Sequence, residues 1–288
     1  MITYKTTALK DINIMNILDT DKILKNGIKI PAIGFGTWQL DNVQTYNAVK
    51  LAIKNGYRHI DTAFAYQNEK SVGKVLKDLN IDRKKVFITT KIPAEIKNYK
   101  DAQDCFYKSL YNMETEYIDL LLIHAPKPWK DFFSNSNNYD KENIEVWNLL
   151  EKVYKDGKVK AIGVSNFDIK DLENIINNCE IKPAVNQIRF FIGFYQKQLI
   201  DYCQSKEITL VGHSTFTAGK IFENKDIKNI ALKNNVTVAQ LCIKYAIQKN
   251  IIPLIRTTKQ DRMIENIKID FDINDNDISF LEGLQESR

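Results

Sequence analysis

The sequence predicts an α/β protein that folds as a single-domain (β/α)8 TIM barrel with an N-terminal β-hairpin cap. Two observations lead to this prediction. Eight short apolar segments alternate with helical patterns, and a polar side chain stands at the end of each segment. Eight parallel strands that are each followed by a helix fit a closed barrel better than an open sheet, although open sheets share the alternation. The 288 residues suit one barrel, and no Pro-, Gly- or Ser-rich linker divides them.

The first residues are expected to lie outside the barrel. We divide the chain into an N-terminal extension, residues 1–20, and a barrel domain, residues 21–288. The extension has no apolar core followed by small residues, so it does not resemble a secretory signal, and Met15 is an alternative start. We expect the extension to be loosely tethered.

Local patterns predict the individual elements. Asn26-Gly27, between alternating residues, predicts a tight hairpin that caps one end of the domain. Ile118–His124 is typical of a strand buried on both faces. Thr237 and Gln240 form a capping-box pattern that opens a helix. The eight predicted strands are centred on Ile33, Ile60, Ile88, Leu121, Ile162, Val185, Leu210 and Ile252.

The composition argues against several classes of function. The net charge of +5 comes from 41 basic and 36 acidic residues that are scattered along the chain, so no basic stripe for nucleic acid is expected. No apolar run approaches the ~20 residues of a membrane-spanning helix. The four cysteines lie far apart without a CxxC pair, and the three histidines lack HExxH spacing. We therefore expect no metal site, free thiols and a reducing, cytoplasmic location.

Polar residues at the strand ends form a candidate site. In a closed barrel the carboxyl ends of all strands converge on one mouth. Taken singly, each residue has a structural explanation, such as a turn carboxylate, a surface lysine or a hydrogen-bonded core histidine. Taken together, an acid, a lysine, a histidine and amides are a candidate site. These strand-end residues are Thr37, Asp61, Lys91, His124, Ser165, Asn166, Gln187, His213, Ser214 and Arg256.

Four of the polar residues suit the reduction of a carbonyl. A buried ammonium at Lys91 is expected to lower the pKa of a phenol that it touches, and Asp61 is expected to keep this lysine charged. Tyr66, in the loop after Asp61, can then exchange a proton with a substrate oxygen to which His124 forms a hydrogen bond. Such a reaction also requires a hydride donor.

The hydride donor is not expected at a Rossmann motif. Gly34-Phe35-Gly36 lacks the third glycine of GxGxxG. A better phosphate site follows the eighth strand, where Arg256 and Arg262 flank hydroxyl groups at the start of a helix. Solvated arginines on a surface loop explain this segment equally well.

The chain resembles the aldo-keto reductase family from about Leu24 to Glu282. The most specific segments are Gly56–Ala63 with Tyr66, Ile118–His124, Gly163–Phe167 and Arg262–Asn266. The resemblance implies a (β/α)8 barrel that uses NADPH without a Rossmann domain. It also implies a catalytic tetrad of Asp61, Tyr66, Lys91 and His124, with Tyr66 as the proton donor.

The resemblance also assigns the rest of the site. Ser165, Asn166 and Gln187 are implied to hold the nicotinamide carboxamide, and Ser214 to meet the pyrophosphate. The implied contacts of the 2′-phosphate are Arg256, Thr257 and Arg262, those of the adenine are Glu265 and Asn266, and Thr37, Trp38 and His213 complete the cofactor site. The implied substrate pocket is formed by Trp38, Ala65, Ala125 and Trp129.

The chain departs from the family pattern at three places. His213 stands where the family usually has a tyrosine that stacks on the nicotinamide, and since imidazole offers less stacking area, His213→Tyr is expected to tighten cofactor binding. Arg189 lies where a glutamate is common, and it receives no role here. Ala125 follows His124 where many members have tryptophan, which predicts an open, permissive pocket.

The leading hypothesis is an NADPH-dependent oxidoreductase that reduces aldehyde or ketone carbonyls to alcohols. We expect a small-molecule carbonyl substrate, a monomer or weak homo-oligomer, and no nucleic-acid or membrane partner. The alternative is a cofactor-binding regulatory or interaction subunit on the same scaffold, since fold does not fix function. A third reading makes Lys91 a Schiff-base lysine of a barrel aldolase.

Overall fold

A two-stranded hairpin precedes the barrel, in the computed structural model that describes residues 16–134 and 137–284. Strand β1 (Asp21–Ile23) pairs antiparallel with β2 (Lys29–Pro31). The connecting loop is closed by a bond from the Leu24 amide to the Ile28 carbonyl at 2.8 Å. Gly27 adopts a φ of +82°, a left-handed conformation that glycine reaches without strain. The predicted hairpin is therefore confirmed.

Eight parallel strands form the closed barrel that the sequence predicts. The last strand pairs with the first, with Leu254 opposite Gly34, and this pairing completes the ring. The barrel strands are β3 (Gly34–Gly36), β4 (His59–Asp61), β5 (Phe87–Ile92), β6 (Ile118–Ile123), β7 (Val159–Ser165), β8 (Val185–Arg189), β9 (Thr209–His213) and β10 (Ile251–Ile255).

Helices surround the barrel. They are α1 (Asn42–Lys54), α2 (Glu69–Asp78), α3 (Tyr99–Asn112), α4 (Asp140–Lys155), α5 (Ile169–Asn178), α6 (Lys197–Ser205), α7 (Lys225–Lys233), α8 (Val238–Gln248), α9 (Gln260–Glu265) and α10 (Asp275–Gly283). The predicted capping box opens α8, with the Gln240 amide on Thr237 Oγ1 at 3.3 Å and the Thr237 amide on Gln240 Oε1 at 2.9 Å. Helix α7 lies outside the predicted alternation.

The hairpin closes the amino-terminal end of the barrel. Asn26 Nδ2 donates to the Lys160 carbonyl, at the start of β7, at 2.8 Å. Leu24 and Ile30 are buried in an interior cluster with barrel residues such as Leu122. Since this end is covered, the carboxyl-terminal end is the mouth at which a ligand can enter.

The start of the described chain packs against the barrel. Asn16 caps a short 3-10 helix, Ile17–Asp19, and Ile17 belongs to the main core. The Ala32 amide donates to the Thr20 carbonyl at 2.9 Å. Most of the predicted extension, residues 1–15, lies outside the described residues, so its division from the barrel stays a prediction. Within the described ranges, no helix combines the length and apolar character needed to cross a membrane.

Candidate active site

The ends of neighbouring strands bring the predicted catalytic residues together. Asp61 is the last residue of β4, Lys91 lies next to the end of β5, and His124 directly follows β6. Tyr66 ends a short 3-10 helix, Phe64–Tyr66, that leads away from β4. Because the strands are parallel, these residues all lie at the carboxyl-terminal mouth of the barrel.

A cleft of about 1700 Å³ opens at this mouth. Three predicted site residues, Thr37, Lys91 and Ala125, are buried and do not line it. Thr37 Oγ1 instead donates to the Asp61 carbonyl at 3.1 Å, beneath the cleft. The predicted residues that do line the cleft are Trp38, Asp61, Ala65, Tyr66, His124, Trp129, Ser165, Asn166, Gln187, His213, Ser214, Arg256, Thr257, Arg262, Glu265 and Asn266.

A buried ion pair lies at the base of the cleft. Lys91 Nζ lies 2.7 Å from Asp61 Oδ1 and donates to the Thr62 carbonyl at 2.8 Å. Gln187 Nε2 donates to the second carboxylate oxygen of Asp61 at 2.7 Å. Both oxygens of the carboxylate are therefore held, as a buried pair requires. Burial lowers the pKa of Lys91, and the Asp61 carboxylate opposes this shift.

Tyr66 contacts both the lysine and the histidine. Its ring centroid is 5.2 Å from Lys91 Nζ and 5.6 Å from the His124 ring. Burial, followed by the Asp61 carboxylate, raises the pKa of Tyr66 well above its usual range. The net direction is therefore opposite to the expected lowering by Lys91, because burial and the Asp61 carboxylate both favour the neutral phenol. The phenol is protonated at neutral pH and holds the proton that a donor needs.

His124 is neutral in its surroundings. Burial is the main cause that lowers its pKa well below the usual range, and electrostatic interactions with Lys91 and His213 act in the same direction. Its Nδ1 is buried and has no hydrogen-bond partner among the described residues. The ring also packs against Trp129, with centroids 5.4 Å apart.

Hydrogen bonds join the polar residues along one rim of the cleft. Asn166 Nδ2 donates to the His124 carbonyl and to Ser165 Oγ, each at 3.0 Å. Ser165 Oγ donates to the Gln187 carbonyl at 3.0 Å. His213 reaches Asn166 Oδ1 and Ser214 Oγ, both at 2.9 Å. The residues predicted to hold a nicotinamide carboxamide are thus one connected network.

The far end of the cleft is positively charged. Arg262 is exposed there, and Arg256 Nη1 donates to the Trp38 carbonyl at 2.8 Å. Lys259, which sequence reasoning missed, also lines the cleft, and its amide donates to Thr257 Oγ1 at 3.1 Å. The sequence signal for Lys259 was its position directly before α9, between Arg256 and Arg262. Three cations beside hydroxyl groups form a donor set that suits a phosphate.

Aromatic side chains line the remaining wall. Trp38 is 51% exposed and Trp129 is 43% exposed. Phe132 touches Trp129 at 5.3 Å between centroids, and Phe133, which is 95% exposed, touches Phe132 at 5.2 Å. Phe216 and Phe222, from the segment after β9, also line the cleft. Sequence reasoning missed these four phenylalanines, although all lie in segments that connect a strand to the next helix at the mouth.

Arg189 also lies in the cleft. Its guanidinium carbon is 4.9 Å from the Phe191 ring centroid and 5.1 Å from that of Phe194. The two rings stack on each other, with centroids 5.5 Å apart. Arg189, to which the sequence assigned no role, therefore packs over the aromatic pair of Phe191 and Phe194.

Two known reductases are similar to this chain in sequence over most of its length. The chain is 38% identical to glyoxal reductase of Bacillus subtilis (strain 168) over 273 residues, which cover 94% of each protein. It is 34% identical to 9,11-endoperoxide prostaglandin H2 reductase of Trypanosoma cruzi (strain CL Brener), over 92% of this chain and 91% of that protein.

Solved structures of aldo-keto reductases have the same fold as this chain. An aldo-keto reductase from a Medee basin deep-sea metagenome library superposes with a TM-score of 0.85 at 32% identity, over 93% of this chain and 96% of the other. The aldo-keto reductase AKR2E5, complexed with NADPH, gives a TM-score of 0.82 at 32% identity, over 92% and 88% of the two chains.

The barrel and its cleft define an oxidoreductase of the aldo-keto reductase class. The model of the aldo/keto reductase family matches residues 32–286, and the chain belongs to this family. The resemblance found in the sequence is therefore confirmed, together with the barrel fold.

Proposed function

We propose that the protein is an NADPH-dependent reductase that converts aldehyde or ketone carbonyls to alcohols, with Tyr66 as the proton donor. The observation that carries this proposal is the group formed by the Asp61–Lys91 ion pair, the Tyr66 ring over the ammonium, and the neutral His124. The group lies at the base of a cleft large enough for a cofactor and a substrate.

Each residue of the group has a chemical role. When bound, NADPH would supply the hydride for the carbonyl carbon. His124 donates a hydrogen bond to the carbonyl oxygen, and Tyr66 transfers its phenolic proton to that oxygen, which completes the alcohol. The nearby Lys91 ammonium stabilises the resulting phenolate, while Asp61 holds the lysine in place.

The composition of the cleft supports NADPH as the cofactor. Arg256, Lys259 and Arg262 offer cationic contacts for a 2′-phosphate at one end. The amide and hydroxyl network of Ser165, Asn166 and Gln187 lies near the catalytic group and suits a carboxamide. The AKR2E5 complex with NADPH and the similarity to a glyoxal reductase agree with this reading.

The role of Tyr66 is tested by Tyr66→Phe. This change removes only the phenolic oxygen, so we expect aldehyde-dependent NADPH oxidation to fall by about 10²- to 10⁴-fold, the usual contribution of general acid catalysis. The dissociation constant of NADPH, measured by fluorescence titration, is expected to stay within about twofold. Undiminished turnover in this variant would contradict the assignment of Tyr66.

A substrate panel tests the reaction itself. Glyoxal, aliphatic aldehydes, aromatic aldehydes and ketones are each supplied with NADPH and with NADH, and oxidation is followed by absorbance. Consumption of NADPH with any of them separates a reductase from a binding subunit. Borohydride trapping of Lys91 on a carbonyl substrate would instead favour a Schiff-base mechanism.

A further inference from the structure

The His213 ring connects two strand ends that are not neighbours in the barrel. His213 is the last residue of β9, whereas Asn166 directly follows β7, with β8 between them. The His213 ring nitrogens lie 2.9 Å from Asn166 Oδ1 and 2.9 Å from Ser214 Oγ. Both nitrogens are therefore engaged within the protein, at the rim of the cleft.

The neighbouring bonds fix the direction of each hydrogen bond. Asn166 Nδ2 lies 3.0 Å from the His124 carbonyl, which only accepts, so the other amide atom, Oδ1, faces His213. His213 Nε2 must therefore carry the hydrogen and donate to Asn166. Burial lowers the pKa of His213 to about 3, so the ring is neutral and its Nδ1 accepts from the Ser214 hydroxyl.

This arrangement limits what Asn166 can offer to a ligand. Its two amide hydrogens are used by the His124 carbonyl and by Ser165 Oγ. One lone pair of Oδ1 is used by His213, and the second is left to accept a hydrogen bond. Asn166 is thus set to recognise an N–H group, such as the NH₂ of a carboxamide.

The two partners of His213 have an uncommon backbone conformation. Asn166 has a φ of +60° and Ser214 a φ of +64°, in the left-handed region that serine rarely adopts. Such residues persist where the surrounding structure holds them, and they are frequent at functional sites. The imidazole bonds both of them, so it braces the two strained positions against each other.

We propose that His213 is a positioning residue that holds Asn166 in the orientation that accepts a hydrogen bond from the nicotinamide carboxamide. This inference rests on the proposed function. A phenyl ring has no donor at its edge, and the O–H of a phenol lies farther along the side chain than Nε2 does, so neither ring supplies a donor at the position from which His213 bonds Asn166 Oδ1. His213→Tyr therefore weakens cofactor binding, which reverses the expectation drawn from stacking area alone.

Three variants separate positioning from stacking. His213→Gln places an amide nitrogen near the position of Nε2, so it retains the donor to Asn166 and should bind NADPH within about threefold of the wild type. His213→Asn reaches only as far as Nδ1, and His213→Phe retains a ring without a donor. Each of these two should weaken NADPH by about tenfold, as loss of a buried hydrogen bond does. Equal or tighter binding by His213→Phe would overturn the proposal.

Two ligands show whether the loss acts through the carboxamide. The 3-acetylpyridine analogue of NADPH lacks the carboxamide N–H, and 2′-phospho-ADP-ribose lacks the whole nicotinamide. We expect His213→Phe to change the affinity of either ligand less than twofold. A tenfold loss for all three ligands would mean general damage to the site and would overturn the proposal. If the wild-type protein bound 2′-phospho-ADP-ribose but not NADPH, the proposed function itself would fail.

A double-mutant cycle completes the test. If His213 acts through Asn166, His213→Phe should add little to the loss that Asn166→Ala causes alone. Independent, additive losses would place the effect of His213 elsewhere and would contradict the proposed role.

Discussion

Arg256 and Arg262 lie at the same end of the cleft but have different surroundings. Arg256 Nη1 is bonded to the Trp38 carbonyl at 2.8 Å and to Gln39 Oε1 at 3.3 Å, whereas Arg262 is exposed. Arg256 therefore ties the loop after β3 to the loop after β10 and also carries charge. A joint replacement of both arginines would mix these two effects, so the charge is better tested at Arg262.

At the residue scale, we predict that Arg262→Ala discriminates between the two cofactors. Loss of one charged contact should weaken NADPH by about tenfold, since hydrogen bonds to charged groups contribute ~1.5–3 kcal/mol, and should leave NADH nearly unchanged. Fluorescence titration with each cofactor measures the ratio. Arg262→Lys is the matched control that retains the charge, and equal losses for NADPH and NADH would contradict a 2′-phosphate contact.

Part of the candidate site was predictable from the sequence. The proximity of Asp61, Tyr66, Lys91 and His124 was predictable because each stands at or near a strand end, and parallel strands bring such ends together. The direction of the Tyr66 pKa shift was not predictable, because it depends on how deeply the ring is buried. The hydrogen bonds of His213 were not predictable either, since its partner Asn166 is 47 positions away in sequence.

At the element scale, Lys97 fixes the loop that follows β6. Its ammonium donates to the Ala125 carbonyl and the Pro126 carbonyl, each at 3.0 Å, and to Asn143 Oδ1 of α4 at 2.8 Å. Burial lowers the pKa of Lys97 to about 8. This loop begins directly after His124 and carries Trp129, so Lys97 connects a helix to the wall of the cleft.

We predict that Lys97→Met raises KM for the aldehyde about three- to tenfold, because the carbonyls of the loop lose their common donor. The dissociation constant of NADPH should stay within about twofold, since the predicted cofactor residues lie on other loops. Steady-state kinetics and fluorescence titration measure the two quantities. Lys100→Met, at an exposed position of α3, is the control, and an equal change in both variants would rule out the loop as the cause.

Elements were predictable where the barrel pattern repeats and less so where it is interrupted. The strand centres from Ile33 to Ile252 follow the alternation, and every one of them lies in or directly beside an observed strand. Helix α7 and the 3-10 segment Thr217–Glu223 are inserted between β9 and α8, and a strict alternation has no place for them. Such insertions vary in length and sequence, so local periodicity does not encode them.

At the scale of the whole molecule, all three histidines are held neutral. Burial, as the largest cause, lowers the pKa of His59 to about 3 and that of His213 to about 3, and it lowers the pKa of His124 well below the usual range. In the unfolded chain each histidine takes up a proton near pH 6.5. Between about pH 3 and 6.5 the unfolded state therefore binds more protons, and acid favours unfolding.

We predict that the free energy of unfolding falls as the pH drops from 7 to 5, by about 2 kcal/mol for each histidine. Asp171, whose pKa is raised to about 6 mainly by burial, binds its proton in the folded state and offsets part of this loss. His59→Gln retains the bond that Nε2 forms with Thr89 Oγ1 at 2.9 Å and removes one titrating group. Urea unfolding at the two pH values should show a drop about 2 kcal/mol smaller in this variant. An unchanged drop would mean that buried His59 does not contribute to the acid sensitivity of the barrel.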